Sequence, residues 1–500
     1  MALEGGAGIG NGIIKRPPQQ CSVAVETAGH RADVETEEED EGKPWIARKW
    51  ISSLAVCLVA LPFLAIMVSR RDRPLPLASG WTSAATARTT YDRRESNQDG
   101  LLGGLLVPGF DEQSCISRYK STSHLKKLAR SPSTHLVKRL REQEALQRRC
   151  GPGTETYRRA AERLGPRGNG NGTTTDDDAC KYLVLVPYRG LGNRILAMAS
   201  AFLYAMLTDR VLLVHRGTSL PDLFCEPFQE TSWLLPPDFP LGDLENLTGE
   251  VPESYRNLAR EYGRAASVSD LPYVFVDLDH ACTYHDKLFY CDDHREFLHR
   301  APWLVMRTDG YFVPALFLNP AYQEELDKLF PRKDSVFYLL ARYLFHPTNK
   351  VWGLITRFYD SYLKDSDERL GIQVRVFDGD TPFKHVLDQI LACTSQEHLL
   401  PEVVAQDPGP PASTAGARGW STFGYVGHGL GGLTPWIMFK PENLTTPDPP
   451  CRRAASMEPC LHGPPFYDCR ARGGADTGKL VPHVRHCEDM SWGLKLVHPE

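Results

Sequence analysis

Three short stretches carry residue types able to hold an anionic, sugar-bearing ligand. The first is Arg189-Gly190-Leu191-Gly192-Asn193-Arg194. Glycines let a backbone come close to a ligand, and the N-terminus of a following helix favours an anion or a sugar oxygen. The stretch is neither a complete G-x-G-x-x-G pattern nor a Walker loop, which needs Gly-Lys-Ser/Thr. Taken alone, it also fits a structural turn. The second is Arg375, near the end of the alternating run 370–377 (LGIQVRVF). A guanidinium there can clamp a diphosphate and offset the charge of a departing nucleotide. An ordinary ion-paired strand arginine is the other reading. The third is Ser421-Thr422-Phe423, followed by Gly424, Gly427 and the glycines at 429, 431 and 432. Its hydroxyls suit phosphate oxygens and its ring suits a base; a core turn explains the same residues.

The surrounding sequence predicts elements able to position these groups. Residues 182–186 (YLVLV) form a continuous apolar run, as in a buried parallel strand, ended by Pro187. An apolar helix over 195–207 and a strand over 211–214 follow the glycine loop. Strand, glycine loop, helix and strand in that order predict a parallel α/β sheet with right-handed crossover. Ligands of such sheets sit at the carboxyl ends of the strands, where Arg375 would also stand. Helices are expected over 335–345 and 351–363, joined by His346-Pro347-Thr348-Asn349. Residues 101–106 (LLGGLL) begin a segment able to pack. Residues 136–149 read as a basic helix, either a solvated face or a surface for an anionic partner.

Five hundred residues suggest about three domain-sized units. With 24% charged residues and a net charge of −5, a strongly basic nucleic-acid binder is disfavoured. Residues 50–68 (WISSLAVCLVALPFLAIMV) hold no charge. As a helix they would span about 28 Å, enough to cross a bilayer. Four basic residues on either side leave the positive-inside rule undecided. Three sequons, at Asn171, Asn246 and Asn443, lie C-terminal to the span with eleven of the thirteen cysteines. Both features suit an oxidising lumen. The resulting organisation is a cytosolic tail over 1–49, a signal anchor over 50–68, a luminal stem over 69–179, and lobes over 180–365 and 366–500.

Longer collinear stretches resemble the plant xyloglucan fucosyltransferases, glycosyltransferase family 37. They include GLGNRILAMASAFLYAMLTDRVLLV (190–214), DLFCEPF (222–228), SWLLPPDFP (232–240) and PWLVMRTDGYFVPAL (302–316). RYLFHPTNKVWGL (342–354), GIQVRVF, WSTFGYV, TTPDPPC (445–451), PPFYDC (464–469) and PHVRHCEDMSWGLKLV (482–497) continue the match. The resemblance implies a GT-B-like, two-lobed Rossmann-type α/β fold in a Golgi membrane protein of type II orientation. It implies inverting α-1,2 transfer of fucose from GDP-fucose to a galactose of a cell-wall glycan, xyloglucan or arabinogalactan. No cofactor and no metal are expected; Asp378-Gly379-Asp380 spells a metal motif but falls just past the strand. Arg375 corresponds to the family's pyrophosphate-binding arginine, and Ser421, Thr422 and Phe423 to its nucleotide-side motif. Gly190, Gly192, Asn193 and Arg194 correspond to a loop facing the cleft. Asp309 corresponds to a cleft carboxylate that orients the acceptor, or to a structural one. A homo- or hetero-oligomer is compatible with all of this.

One departure stands out. Family members carry several tens of residues, a strand and helices among them, between the Arg375 strand and the Trp-Ser-Thr-Phe-Gly motif. Here residues 405–419 (AQDPGPPASTAGARG) lead directly to Trp420. Their composition predicts a disordered linker unable to supply the strand, so that the second lobe is incomplete over 404–419. The alternative function is therefore an inactive, membrane-tethered relative that binds glycan or pairs with active paralogues. The cysteines at 451, 460, 469 and 487 lie near His462, His483 and His486. Their spacing matches no common zinc pattern, and a luminal address favours disulfides.

Overall fold

The computed structural model describes residues 101–499 except 125–129, 166–179, 218–219, 262–270, 280–282, 292–294, 367–368, 375–382, 400–412, 419–420 and 440–444. The expected signal anchor lies outside these residues. No described helix is long and apolar enough to cross a membrane.

The first long helix, α1 (Thr134–Cys150), is capped by Ser133, whose hydroxyl accepts the Leu136 N–H at 2.9 Å. Strand β1 (Lys181–Pro187), helix α2 (Leu191–Leu207) and strand β2 (Arg210–Val214) follow. With β3 (Val274–Asp277) and β4 (Trp303–Thr308) they form an all-parallel sheet of order β2-β1-β4-β3. The interior residues of β1 are fully buried, which explains their unbroken apolar sequence. Tyr182 pairs in register with Trp303, and the two rings stack 4.0 Å apart. Helix α2 is apolar all round because it is buried nearly all round.

The segment from Leu101 does not behave as a stem. Leu102, Leu105, Leu106, Leu136 and Leu140 belong to the same core as α2. Disulfides Cys115–Cys225 and Cys150–Cys180 fasten this segment to the lobe. Helix α1 covers the free edge of β2: Gln147 donates to the Leu212 carbonyl at 3.0 Å and accepts the Leu212 N–H at 2.8 Å. That satisfies backbone groups an edge strand otherwise exposes. Several α1 cations are consumed locally, Arg139 by Glu142, Asp209 and Glu325, and Arg141 by Glu144. The solvated-face reading fits this pairing better than an anionic partner.

Helices α3 (Val336–Leu344) and α4 (Asn349–Tyr362) lead to a second sheet. It holds β5 (Arg369–Gln373), β6 (Ser413–Arg418), β7 (Trp436–Met438) and β8 (Arg452–Arg453), in that order. Strands β5, β6 and β7 run parallel and β8 antiparallel. Helix α5 (Phe383–Gln396) follows β5, and helix α6 (Thr422–Gly431) follows β6.

Strand β6 corrects the linker expectation. Its sequence is the end of the Pro, Ala and Gly-rich stretch, yet it pairs with β5 on one side and β7 on the other. The last linker proline is Pro411, upstream of the strand, so residues 413–418 keep every backbone N–H for the ladder. Apolar side chains nearby are nonetheless uncovered. No residue of α4 is buried, and its Leu354, Ile355, Phe358 and Tyr362 are exposed, as are Ile372, Leu387 and Leu391. Among the described residues the second sheet has two small buried clusters, around Val386, Ile390, Cys393, Met438 and Cys451 and around Ile437 and Ala454.

The disulfide expectation holds as well. Cys451 pairs with Cys393, Cys469 with Cys291, and Cys460 with Cys487. The one described group of possible metal ligands, Cys460, Cys487 and Asp489, has both sulfurs in that last bond.

Candidate active site

The N-terminal turn of α2, which follows β1, meets the N-terminal turn of α6. Gly190 caps α2 with no side chain, leaving the first N–H groups of that helix without a capping partner. Gly192 allows a very close approach. A Cβ built there would lie 2.6 Å from Thr422 Oγ1 and 2.9 Å from Phe423 N. Only hydrogen fits at that position. Asn193 then bridges the lobes: its Nδ2 donates to the Asp309 carbonyl at 3.1 Å, and its Oδ1 accepts from Thr422 Oγ1 at 3.1 Å.

Ser421 is buried and caps α6, its Oγ accepting the Gly424 N–H at 3.3 Å. Phe423 presents its ring outward, 55% exposed. Thus two helix N-termini, those of α2 and α6, converge with their partial positive charges on one cleft. A bare ring stands at its rim.

Asp309 follows β4 directly and is 8% exposed. Its carboxylate is paired with Arg189 Nε at 2.8 Å. The loop beyond it is firmly held. The Phe312 N–H donates to Ser200 Oγ on α2 at 3.1 Å, and Tyr311 Oη donates to Glu458 Oε2 at 2.6 Å. Glu458 also accepts the Phe337 N–H at 2.9 Å, and burial raises its carboxyl to about 8. Tyr425, one turn into α6, bonds His462 Nε2 at 3.0 Å and donates to Asp489. The chain on both sides of the cleft is therefore anchored to the C-terminal segment.

The structure brings together Gly190, Gly192, Asn193, Asp309, Ser421, Thr422 and Phe423. Arg194 turns back along the loop, its Nε donating to the Arg189 carbonyl at 2.9 Å. Arg375 lies outside the described residues, which resume its strand only up to Val374. Asn171 and Asn443 also lie outside them, whereas Asn246 is exposed beside Asp243. Sequence reasoning included Arg189 in the glycine loop but gave it no role and missed its pairing with Asp309. It stands in the glycine loop itself with a left-handed φ of 65°. A non-glycine residue in that region is uncommon and clusters at functional loops. It missed Tyr188 too, whose ring lies 5.4 Å from the Arg189 guanidinium and 5.7 Å from that of Arg307. Arg307 is itself paired with Asp277 at 2.7 Å.

A model of the xyloglucan fucosyltransferase family matches residues 80–418 and 415–470. The two pieces overlap at 415–418, within residues 404–419, where the second lobe reads as incomplete from sequence. A galactoside 2-alpha-L-fucosyltransferase of Pisum sativum is 47% identical over 479 aligned positions, covering 81% of this chain and 84% of the pea protein. The alignment is longer than the share of this chain within it, so the relative holds residues without counterpart here. Fucosyltransferase 2 of Arabidopsis thaliana is 40% identical, covering 89% of this chain and 98% of its own. The solved structure of a mutant of Arabidopsis thaliana FUT1 in complex with GDP superposes with a TM-score of 0.74. It is 47% identical and covers 80% of this chain and 100% of its own.

Proposed function

Since this chain belongs to the xyloglucan fucosyltransferase family and is a glycosyltransferase of that family, we propose that its cleft binds GDP-fucose and transfers fucose to a galactose. The two sheets with their facing lobes are read as a GT-B-like arrangement. The observation that carries the reading is the approach of Gly192 to Thr422 and Phe423. It brings the N-terminal turns of α2 and α6, one from each lobe, into contact.

In this reading the diphosphate lies against those helix ends and the guanine stacks near Phe423. The galactose 2-hydroxyl attacks the anomeric carbon of fucose as its bond to the GDP oxygen breaks, with inversion. Negative charge grows on the diphosphate as it leaves. Arg375, two residues past the end of β5, offsets it, and so do the helix dipoles. The acceptor proton is lost to the medium or to a nearby base. Asp309, held by Arg189, sets the position of the acceptor hydroxyl. No metal is assigned to the reaction; the positive groups named here take the role a cation would have.

The N-terminal apolar run supports a signal anchor in the Golgi membrane with the catalytic part in the lumen. The five disulfides suit that address. The uncovered apolar faces of α4 and α5 favour a second reading, a relative that has lost catalysis. Calorimetry with GDP, followed by a transfer assay on galactosylated xyloglucan oligosaccharide, separates them. GDP binding with transfer, abolished by Arg375→Ala and unchanged by a chelator, supports the enzyme. A folded chain that binds no GDP supports the inactive relative.

A further inference from the structure

Glu458 is a buried ionisable group, 1% exposed, to which the chemistry above gives no part. Its two oxygens serve two different elements. Oε2 accepts from Tyr311 Oη at 2.6 Å, and Oε1 accepts the Phe337 N–H at 2.9 Å. Tyr311 stands two residues past Asp309, in the chain that leaves β4. Phe337 lies in the first turn of α3, and its ring meets that of Tyr311 edge-on, 5.7 Å between centroids. The Phe337 ring also packs against the last turns of α6, where a Cβ built on Gly429 would lie 2.5 Å from Phe337 Cδ1. Glu458 thus links the loop bearing Asp309 to the packing of the helix whose first turn carries Thr422 and Phe423.

The mount of this carboxyl group is stiff. The Glu458 N–H donates to Ser456 Oγ at 3.3 Å, and that hydroxyl donates to the Leu496 carbonyl. Leu461, three residues on, exchanges both backbone bonds with Leu494, at 2.7 and 3.0 Å, and Cys460 is bonded to Cys487. Leu461 Cδ1 also lies 3.8 Å from a Cβ built on Gly310, beside Asp309. On the α2 side the same loop is held by Asn193 Nδ2 at the Asp309 carbonyl and by Ser200 Oγ at the Phe312 N–H. Tyr311, between those two, is held from the C-terminal segment. The side chain suits the task. Both oxygens of a carboxyl group accept, so it takes one donor from each element. An amide of the same shape offers one acceptor and sets an N–H against the other donor. A hydrocarbon would leave the Tyr311 hydroxyl and the Phe337 N–H unpaired in the interior.

We propose that Glu458 is a positioning residue of the transfer reaction: through Tyr311 it fixes the loop bearing Asp309, and so decides whether the galactose hydroxyl or water meets the fucose. The inference rests on the fucosyltransferase reading and on the acceptor role given to Asp309 there. With the loop held, the acceptor oxygen bonds to the anomeric carbon as the bond to the GDP oxygen breaks. With the loop loose, water takes that place. The water oxygen bonds to the anomeric carbon, GDP leaves with the bonding pair, the water proton passes to the medium, and free fucose results. Glu458 and Tyr311 are each 1% exposed and touch no substrate; they act through Asp309.

Tyr311→Phe removes the hydroxyl and keeps the ring against Phe337, while Glu458→Gln keeps the volume of the side chain. Each is compared with the unsubstituted full chain for GDP affinity, for kcat of transfer to galactosylated xyloglucan oligosaccharide, and for hydrolysis of GDP-fucose at saturating acceptor. The ratio of hydrolysis to transfer should rise about tenfold in both variants, through a lower kcat of transfer. GDP affinity should stay within about twofold, which places the loss after donor binding. The double variant should be no worse than the more impaired single one, because both changes cut the same bond. A purely structural role predicts that transfer and hydrolysis fall by one common factor, in step with the loss of folded protein in melting curves. That result overturns the inference, and so does an unchanged ratio in both variants. If one variant is unfolded at the assay temperature the other decides, and if both are unfolded the role is structural and the inference falls. An unsubstituted chain that binds no GDP and forms no product refutes the fucosyltransferase reading and the inference with it. A chain that transfers fucose while the ratio stays fixed in the variants refutes the inference alone.

Discussion

Replacing Gly192 by alanine tests the cleft at its narrowest point. The new methyl would sit 2.6 Å from Thr422 Oγ1 and 2.9 Å from both Phe423 N and the Thr422 carbonyl carbon. Two of those three atoms are backbone, so no rotamer change relieves them. The first turn of α6 must retreat from α2, and the Thr422–Asn193 hydrogen bond must lengthen. Overpacking of this kind costs about 1–3 kcal/mol. The free protein avoids the cost by opening, but a ligand held by both helix ends must close the gap again. That lowers the competent fraction and weakens GDP binding by roughly 5- to 150-fold. Calorimetry on the full chain reads this directly, and a melting curve shows whether the fold survives. Adding Thr422→Ala removes one of the three contacts and should restore only part of the affinity. GDP binding by Gly192→Ala within twofold of the unsubstituted chain would refute the idea that the ligand bridges these helices.

Asp309→Asn should leave GDP affinity intact and depress turnover if the carboxylate, bound to Arg189, positions the acceptor as proposed; a weakened GDP affinity would reassign it to the donor pocket. Glu458 predicts a pH effect on stability. Its folded carboxyl is raised to about 8 against an ordinary 4.5, so the folded state binds the extra proton between those values. Stability should therefore fall as pH rises through that window, and the full cost is present above about 8. Glu458→Gln should flatten the decline, which melting curves from pH 5 to 9 check. The Cys393–Cys451 bond closes a separation of 58 residues, for which chain entropy suggests about 4 kcal/mol. Cys393→Ala with Cys451→Ala should release amide-exchange protection in α5 and β7 before α2.

Much of the first lobe was legible because its signals are strong and local. The run at 182–186 could only be a buried strand or a buried helix, and Pro187 with the glycines behind it decided between them. The cleft loop was legible for the same reason, since Gly190 and Gly192 stand where a helix begins. Arg189 was not, because its importance comes from a left-handed backbone and a partner 120 positions away. The role of 101–165 was also hidden. A basic helix with few large apolar residues reads as surface, but Leu136, Leu140, Gln143 and Gln147 all fall on one buried side of it. The two glutamines act there as backbone partners for β2, a use of polar residues that hydropathy cannot express.

Strand β6 bears on whether the shortened second lobe can still work. Its sequence, Ser-Thr-Ala-Gly-Ala-Arg, has weak strand propensity, and propensity alone assigned it to a linker. In the sheet it is an interior strand, where backbone pairing on both sides outweighs what the side chains prefer. Its position also matters. It ends at Arg418, and α6 begins at Thr422, so the strand delivers α6 to the cleft almost without slack. The first lobe does the same with β1, Gly190 and α2. Each lobe thus aims one helix N-terminus from the end of an interior parallel strand, and the shortened connection leaves that aim in place. What the missing stretch removes is cover, seen in the bare faces of α4, β5 and α5. Exposed apolar faces lower the stability of the lobe and invite association, but they do not move the groups that would meet the diphosphate. The burden of the shortening therefore falls on how long the second lobe stays folded rather than on the geometry of the cleft while it does.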